Sequence, residues 1–236
     1  MAPNSRIILT RHAQAEHNVD LDYSILDAPL TPLGKKQAES LARLIPDLQK
    51  EAELVVSSPL RRTLQTTKLG WGPAVERLGG LKSVVCLPQA QECNALPCDT
   101  GSPREVLEAD PEFAEFNLES LTPDWTSKQG FWGATPEALA DRAKWVRHFL
   151  RGRPEKTIVL VCHGDILRQV TCTPTNGVST YMWKNAEARI FEFDPKFVDT
   201  DEAYLYQREN VAAAGGYAPT STELEVEEAL SKISIL

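Results

Sequence analysis

The stretch that decides the fold is Arg6-Ile-Ile-Leu-Thr-Arg-His-Ala-Gln-Ala-Glu-His-Asn18. Its apolar run, residues 7–9, is typical of a short strand that is buried on both faces of a sheet. The run stops at Thr10, and Arg11 and His12 follow at once. Open α/β sheets bind ligands at the carboxyl ends of their strands, and arginine suits a phosphate or carboxylate. This pair alone leaves His12 open as a nucleophile, a general base or a structural histidine.

Composition sets limits on size and on partners. The chain has 236 residues, enough for one large domain with a full core. It carries 25 basic against 33 acidic residues, a net charge of −8, and no basic stripe stands out. We therefore expect neither nucleic acid nor an anionic membrane as a partner. An anion site in this chain has to be a local cluster of cations.

The cysteines and the first residues bear on the compartment. The five cysteines are an odd number without metal-ligand spacing, a pattern that predicts reduced thiols in an intracellular protein. No basic segment followed by a long apolar one comes after Met1. We therefore expect no signal peptide, no membrane span and a cytoplasmic location.

Strand and helix patterns alternate along most of the chain. Apolar runs predict buried strands, and one alternating run predicts a half-buried strand, at residues 54–56, 84–87, 157–162 and 188–193. Helices are predicted after Thr31-Pro32, across 60–68, after Thr135-Pro136 and across 166–171, with residues 70–83 as a connection. This alternation predicts an α/β fold, a three-layer sandwich whose mostly parallel central sheet has helices on both faces.

Two segments stand apart from the alternation within the single predicted domain, residues 1–236. Residues 94–134 hold scattered prolines and tryptophans without a sustained period. We expect an insertion that forms a lid or substrate-facing wall, and the alternative is a plain excursion packed on one edge of the sheet. Its aromatic candidates for that wall are Trp125, Phe131 and Trp132. The C-terminal tail, residues 212–236, ends in an acidic amphipathic stretch that we expect to dock. The docking partner is the tail's own domain or a second copy, which leaves a homodimer open.

Polar residues follow three of the predicted strands. Arg11 and His12 follow the first strand, Ser58 and Arg62 follow the second, and His163 follows the longest. The carboxyl ends of parallel strands lie along one edge, so these side chains should converge. Histidines and arginines in one crevice predict a phosphoryl site, in which one imidazole lies in line for attack.

These residues, in this order, resemble the histidine phosphatases that include cofactor-dependent phosphoglycerate mutase. The resemblance covers about residues 5–195, and Pro97-Cys98-Asp99-Thr100-Gly101 and 125–132 look most like fungal members. The motifs that carry it are Arg11-His12-Ala13 with Asn18, Leu30-Thr31-Pro32-Leu33-Gly34, Ser58-Pro59-Leu60-Arg61-Arg62-Thr63, Gln91-Glu92 and Val161-Cys162-His163-Gly164.

The resemblance implies a role for each site residue. His12 is the nucleophile that forms a phosphohistidine, and Glu92 protonates the leaving oxygen and then activates water. The phosphoryl oxygens are held by Arg11, Arg62 and His163, with Asn18 and Gly164 also at the phosphate. No metal and no cofactor is implied. Nearby arginines should keep His12 neutral, and a phosphate facing Glu92 should raise its pKa.

The sequence departs from the family's motifs at two positions, and several polar residues near the motifs have simpler structural explanations. Ala13 stands where the family has glycine, which predicts a backbone that does not need a positive φ. Asp165, after His163-Gly164, could repel phosphate or favour a substrate with a cation or hydroxyls. We expect Arg61 to be a solvated charge, Ser58 a helix cap, and His17 an ordinary residue at the rim of the pocket.

The function favoured by the sequence is a phosphatase of a small phosphorylated metabolite. A mutase needs a pocket for a second phosphate, whose basic residues the sequence does not identify within 94–134. A sugar-phosphate bisphosphatase comes third. The contrasting class is a repurposed scaffold, either a binder without catalysis or an enzyme using the same His/Arg crevice on an acid that carries no phosphate.

Overall fold

The computed structural model describes residues 5–207 and 212–218. Strands and helices alternate through them. The strands are β1 (Arg6–Arg11), β2 (Leu54–Ser57), β3 (Val85–Cys86), β4 (Thr157–Cys162), β5 (Ala188–Phe193) and β6 (Leu205–Tyr206). The helices are α1 (Glu16–Val19), α2 (Pro32–Leu44), α3 (Pro46–Glu51), α4 (Arg61–Gly70), α5 (Gly72–Leu78), α6 (Arg104–Ala109), α7 (Pro136–Gly152) and α8 (Gly164–Val170).

The strands form one mostly parallel sheet, as the sequence predicted. Their order is β3-β2-β4-β1-β5-β6. The pairs β1–β4, β2–β4 and β2–β3 are parallel, while β5 runs antiparallel to both β1 and β6. Arg11 is level with Cys162, and Ser57 is level with Val161. The residues that follow β1, β2 and β4 therefore come out at the same edge of the sheet.

Each face of the sheet carries its own apolar cluster, which confirms the three-layer sandwich. Ile7 and Leu9 of β1 join a cluster with the buried sides of α7 and α8, and the intervening Ile8 joins a second cluster with α2, α4 and α5. Successive residues of a strand point to opposite faces, so the apolar run 7–9 of β1 serves both layers.

The predicted helix starts with a threonine and a proline are confirmed. The Thr31 hydroxyl accepts a hydrogen bond from the Gly34 amide at 2.9 Å, and the Thr135 hydroxyl accepts one from Ala138 at 3.3 Å. Proline fits the first helical turn because its missing N–H has no partner there in any case. Pro46 for the same reason begins α3 directly after α2 ends.

Two local expectations are wrong. Residues 70–83 are not a plain connection, because they contain α5, whose Ala74 and Val75 are buried in the core. Glycines frame this helix: Gly72 begins it, and Gly79, with φ 116°, ends it in the left-handed region. Ser58 is not the cap of α4 either, because Leu60 occupies that position without a side-chain bond.

The insertion 94–134 packs on the sheet. It contains α6 and short 3₁₀ turns, and Phe113 and Trp125 are buried in the second cluster. The ring of Trp125 lies so close to Gly101 that a Cβ there would collide with it. Trp125 is 1% exposed and therefore forms core, while Phe131 and Trp132 are partly exposed. The lid or wall role of the segment stays a prediction.

The start of the tail pairs with the first residue of β5 and with the segment just before it. Ala214 bridges to Ala188, and Tyr217 bridges to Asn185 and bonds Ser40 through its hydroxyl at 3.0 Å. The predicted docking stretch after residue 218 lies outside the described residues. Within residues 5–207 and 212–218, no helix is long and apolar enough to cross a membrane.

Gly34 offers a test of how closely α2 packs against Gln14, in the loop that follows β1. A Cβ at position 34 would collide with the carbonyl oxygen of Gln14, whereas a Cβ at Gly72 meets nothing within 4 Å. Gly34→Ala should lower the free energy of unfolding by about 1–3 kcal/mol, as overpacking does. Gly72→Ala is the control and should leave it unchanged or slightly raised. Thermal unfolding of both variants measures this, and equal melting temperatures would contradict the close approach.

Candidate active site

His12 follows β1 and is buried with its tautomer fixed. Its Nδ1 lies 2.7 Å from the carbonyl oxygen of Ala13. A carbonyl can only accept, so Nδ1 carries the proton and Nε2 carries the lone pair. Burial first, and then the charges of Arg62 and Arg11, hold the pKa of His12 well below its usual value. The side chain is therefore a neutral imidazole with a nucleophilic nitrogen.

The backbone around His12 is held from several elements. The His12 amide donates to the carbonyl of Cys162 at 2.9 Å, and its own carbonyl accepts from the amide of Ala186 at 3.1 Å. The next amide, that of Ala13, donates to Thr66 Oγ1 at 3.1 Å. Ala13 does not adopt a positive φ, as predicted. His12 is thus placed by β4, α4 and the segment before β5 together.

Asn18 lies beside His12 in a small amide cluster. Its Oδ1 accepts from the amide of Ala15 at 3.0 Å, and the Asn185 side chain reaches both this oxygen and the His12 carbonyl. Asn18 Nδ2 donates to His17 Nε2 at 2.9 Å. His17 is buried with its ring centroid 6.0 Å from that of His12, so it is not a rim residue. Burial lowers the pKa of His17 to about 3.

His163 faces His12 edge-on, with ring centroids 5.3 Å apart. Arg62 Nε–H donates to His163 Nδ1 at 3.2 Å, so the proton of this neutral ring is on Nε2 and points at Ser58 Oγ, 2.8 Å away. Burial and the Arg62 charge hold the pKa of His163 well below its usual value. Ser58, expected as a helix cap, instead holds the second histidine.

Two arginines flank the imidazoles. Arg62 is buried at the start of α4 and pairs with Asp99 at 3.0 Å, and its Nη1 donates to the carbonyl of Cys98. Arg11 donates through Nη1 to the carbonyl of Trp183, while its buried Nε has no hydrogen-bond partner among the described residues. A Cβ at Gly164 would lie 3.4 Å from that Nε. The backbone that opens α8 therefore lies directly against the Arg11 guanidinium.

Arg61 is not a solvated charge, contrary to expectation. Its Nη1 pairs with Asp110 at 3.1 Å, and its guanidinium lies 5.4 Å from the ring centroid of Phe113. Its amide donates to Asp27 Oδ1 at 2.9 Å. Arg61 therefore ties the insertion to α4 and leaves the neighbouring Arg62 as the arginine of the crevice.

Glu92 is buried at the N-terminus of α8, next to His163. Its Oε1 accepts from the amides of Ile166 at 2.9 Å and Cys93 at 3.0 Å, and its Oε2 accepts from the Asp165 amide at 3.2 Å. Burial first, and then the charges of Asp99 and Asp165, raise the pKa of Glu92 to about 7. This carboxyl group can therefore both donate and accept a proton near neutral pH.

Three further charged residues complete the surroundings of Glu92. Arg142 donates to the carbonyl of Gln91 at 3.0 Å and to that of Glu92 at 3.3 Å, and Lys128 Nζ also donates to the Glu92 carbonyl at 3.3 Å. Asp165 pairs with Arg168 at 3.2 Å, which offsets the negative charge expected to repel phosphate.

Sequence reasoning overlooked Arg142 and Lys128. Arg142 stands four residues after Ala138 and four before Val146, on the buried side of α7, so a charge within an apolar stripe was the signal. Lys128 lies in the insertion without periodicity, and nothing in the sequence marks it. No group of three or more His, Cys, Asp or Glu residues that could hold a metal ion is found in residues 5–207 and 212–218.

Taken together, the parallel sheet edge, the neutral imidazoles and the flanking arginines define an α/β enzyme built to act on a phosphoryl group. The chain belongs to the histidine phosphatase superfamily (branch 1), whose family model matches residues 7–201. It is thus an enzyme of the histidine phosphatase type. The resemblance noted from the motifs is confirmed.

Relatives and solved structures agree with this membership. A Schizosaccharomyces pombe protein named as a probable phosphatase is 28% identical over 164 residues, which cover 69% of this chain and 75% of the relative. Phosphoglycerate mutase-like protein 1 of Arabidopsis thaliana is 31% identical over 198 residues, covering 68% of each. A phosphoserine phosphatase variant from Entamoeba histolytica, solved with phosphoserine, aligns with a TM-score of 0.54 and 20% identity over 91% of this chain and 98% of its own. At that identity the structural match supports the fold alone.

The raised pKa of Glu92 generates a pH prediction. A group with a pKa of about 7 that must be protonated to act loses activity as the pH rises through 7. For an alkyl phosphate, kcat/KM should fall about tenfold per pH unit above this value. Asp165→Asn should move this decline in kcat/KM to lower pH, because the Asp165 charge helps to raise the pKa of Glu92. If the same decline in kcat/KM persists in Glu92→Gln, the pH dependence belongs to another group.

Proposed function

We propose that this chain is a metal-independent phosphatase that hydrolyses a small phosphorylated metabolite through phospho-His12. The observation that carries the proposal is the neutral His12, whose Nε2 lone pair is flanked by Arg11, Arg62 and His163. Membership of the histidine phosphatase superfamily and relatives named as phosphatases support it. The five free cysteines support the cytoplasmic location that belongs to the same proposal.

In the first step, His12 Nε2 attacks phosphorus while the ester P–O bond breaks. The leaving oxygen takes the proton of Glu92, whose pKa of about 7 leaves enough of the acid form at neutral pH. The charge that develops on the phosphoryl oxygens is met by the guanidinium groups of Arg11 and Arg62. Arg11 Nε, which has no partner among the described residues, is a donor ready for this use.

In the second step, water hydrolyses the phosphohistidine. The Glu92 carboxylate accepts a proton from water as the water oxygen attacks phosphorus and the N–P bond breaks. Phosphate leaves, His12 returns to its neutral form, and Glu92 is again protonated. One carboxyl group thus serves as acid and then as base, which a pKa near the working pH permits.

The remaining site residues position the reacting groups. His163 faces His12 at 5.3 Å and, held by Ser58 and Arg62, lines the phosphate side of the crevice. Asn18 supports the loop after His12 through the shared Asn185 side chain. Gly164 places the start of α8 beside Arg11, where a Cβ would already be in van der Waals contact with the guanidinium at 3.4 Å.

Transfer to a second phosphate ester, as in a mutase, is the other candidate. The cation Lys128 next to Glu92 favours it, because a second anionic group needs a partner inside the crevice. The relative named phosphoglycerate mutase-like also supports it. A mutase would hold phospho-His12 until an acceptor arrives. Rapid release of inorganic phosphate with water as the sole acceptor distinguishes the hydrolase.

His12→Ala should reduce turnover by about three orders of magnitude or more, as the loss of a nucleophile does. The wild-type enzyme, quenched during turnover, should carry one acid-labile phosphate, and the variant should carry none. His148→Ala is the control, because that imidazole bonds the Asp201 carbonyl at the surface of α7. Phosphate release that is abolished by a chelator, or labelling that survives in His12→Ala, would contradict the proposal.

Glu92→Gln should separate substrates by their leaving groups. An alkoxide needs the proton of the acid, whereas nitrophenolate leaves without it, so the alkyl phosphate should lose about 10²–10⁴-fold. With p-nitrophenyl phosphate the variant should release one equivalent of nitrophenol rapidly and then turn over slowly, because the base for water is missing. Rapid-quench measurement of that burst checks this. Equal losses in the first step for both esters would remove Glu92 from proton transfer.

A further inference from the structure

Lys128 is a charged residue of the insertion that the proposed chemistry leaves without a task. Its backbone adopts φ 54°, in the left-handed region that a residue with a Cβ enters at a cost. Such positions persist where the surrounding structure demands them, and they concentrate at functional sites. The side chain is half-buried and extends back to Glu92, 36 positions earlier in the chain.

The ammonium group of Lys128 is poorly satisfied. Its one hydrogen bond among the described residues is the 3.3 Å contact with the Glu92 carbonyl, which Arg142 Nη2 also contacts at 3.3 Å. No carboxylate lies within 4 Å of Nζ in the described part of the chain. An ammonium has three N–H donors, so most of its capacity is unused. Burial and the charge of Arg142 lower the pKa of Lys128 to about 8, which keeps it a cation at neutral pH.

Neighbouring anions do not supply a counter-ion. Asp99 is the carboxylate whose charge acts most strongly on Lys128, but it already pairs with Arg62 at 3.0 Å. Glu92 uses both of its carboxyl oxygens on the amides at the start of α8. The phosphoryl group of the substrate is matched by Arg11 and Arg62. A half-buried cation without an ion pair therefore remains on the Glu92 side of the crevice.

We propose that Lys128 binds a second anionic group, a carboxylate or a phosphate, on the leaving alcohol of the substrate. The inference rests on the proposed function: a leaving oxygen that takes its proton from Glu92 must lie against the Glu92 carboxyl group, and Lys128 holds the main-chain carbonyl of the same residue. The chain then prefers phosphomonoesters whose leaving alcohol carries a carboxylate or a second phosphate. The insertion 94–134 thereby contributes to the choice of substrate through a specific charge.

Matched pairs of esters test this preference. 3-Phosphoglycerate and glycerol 3-phosphate differ in a carboxylate, phosphoserine and phosphoethanolamine differ in the same way, and fructose 1,6-bisphosphate and fructose 6-phosphate differ in a phosphate. Lys128→Met keeps most of the side-chain volume and removes the charge. It should lower kcat/KM by 10–100-fold for the acidic member of at least one pair and by less than threefold for the other member. Lys128→Arg should restore most of the loss, and the pair affected identifies a carboxylate or a phosphate.

Lys82→Met, a change at an exposed lysine near β3, is the control and should alter no ratio. Equal losses for both members of every pair would mean that Lys128 only supports the Glu92 backbone and would overturn the inference. An unchanged selectivity would overturn it as well. In both cases wild-type hydrolysis through phospho-His12 would stand. Absence of ester hydrolysis by the wild-type enzyme overturns the proposed function, and the inference with it.

Discussion

The buried guanidinium of Arg62 is the group on which the site depends. A charge in the protein interior needs compensation, and this guanidinium finds it in two parts of the chain that are distant in sequence. Asp99 and the Cys98 carbonyl of the insertion compensate the outer nitrogens, and Nε donates to His163. This donation fixes the His163 tautomer and so directs the Nε2 proton at Ser58. Burial and then this positive charge depress the pKa of His12 and His163, which keeps both rings neutral.

Opposite pKa shifts within one crevice assign opposite tasks to its groups. Burial and then the arginine charges lower the pKa of the imidazoles, whereas burial, Asp99 and Asp165 raise the pKa of Glu92. A neutral nucleophile and a partly protonated carboxyl group can coexist near pH 7 only because each faces a different set of neighbours. Glu92 meets the amides of α8 on one side, and its carbonyl meets Arg142 on the other. The acid is therefore fixed by its backbone as well as by its side chain.

Much of the fold, and the convergence of the site, follows from short-range patterns in the sequence. The apolar runs of β1, β2 and β4 and the threonine-proline starts of α2 and α7 are signals contained in a few residues. The partners of Ser58 and Arg61 are not, because His163 and Asp110 are 105 and 49 positions away in the chain. Helix α5 was missed because its framing glycines resemble a loop, although glycine at both ends is compatible with a helix.

The insertion 94–134 is the least regular segment, and its contacts with the crevice were the hardest to predict from the sequence. Without a period, its residues reveal neither which side faces the core nor which reaches the crevice. In the structure the segment supplies Asp99 to Arg62 and Lys128 to the Glu92 carbonyl, and it buries Trp125 under Gly101. It is therefore part of the crevice and of the core at the same time. Because Asp99 compensates Arg62 while Lys128 lacks an ion pair among the described residues, a change at Lys128 leaves the Arg62 charge compensated, whereas a change at Asp99 does not. Variation in substrate preference among chains of this design is then expected at the Lys128 position, and constancy at Asp99.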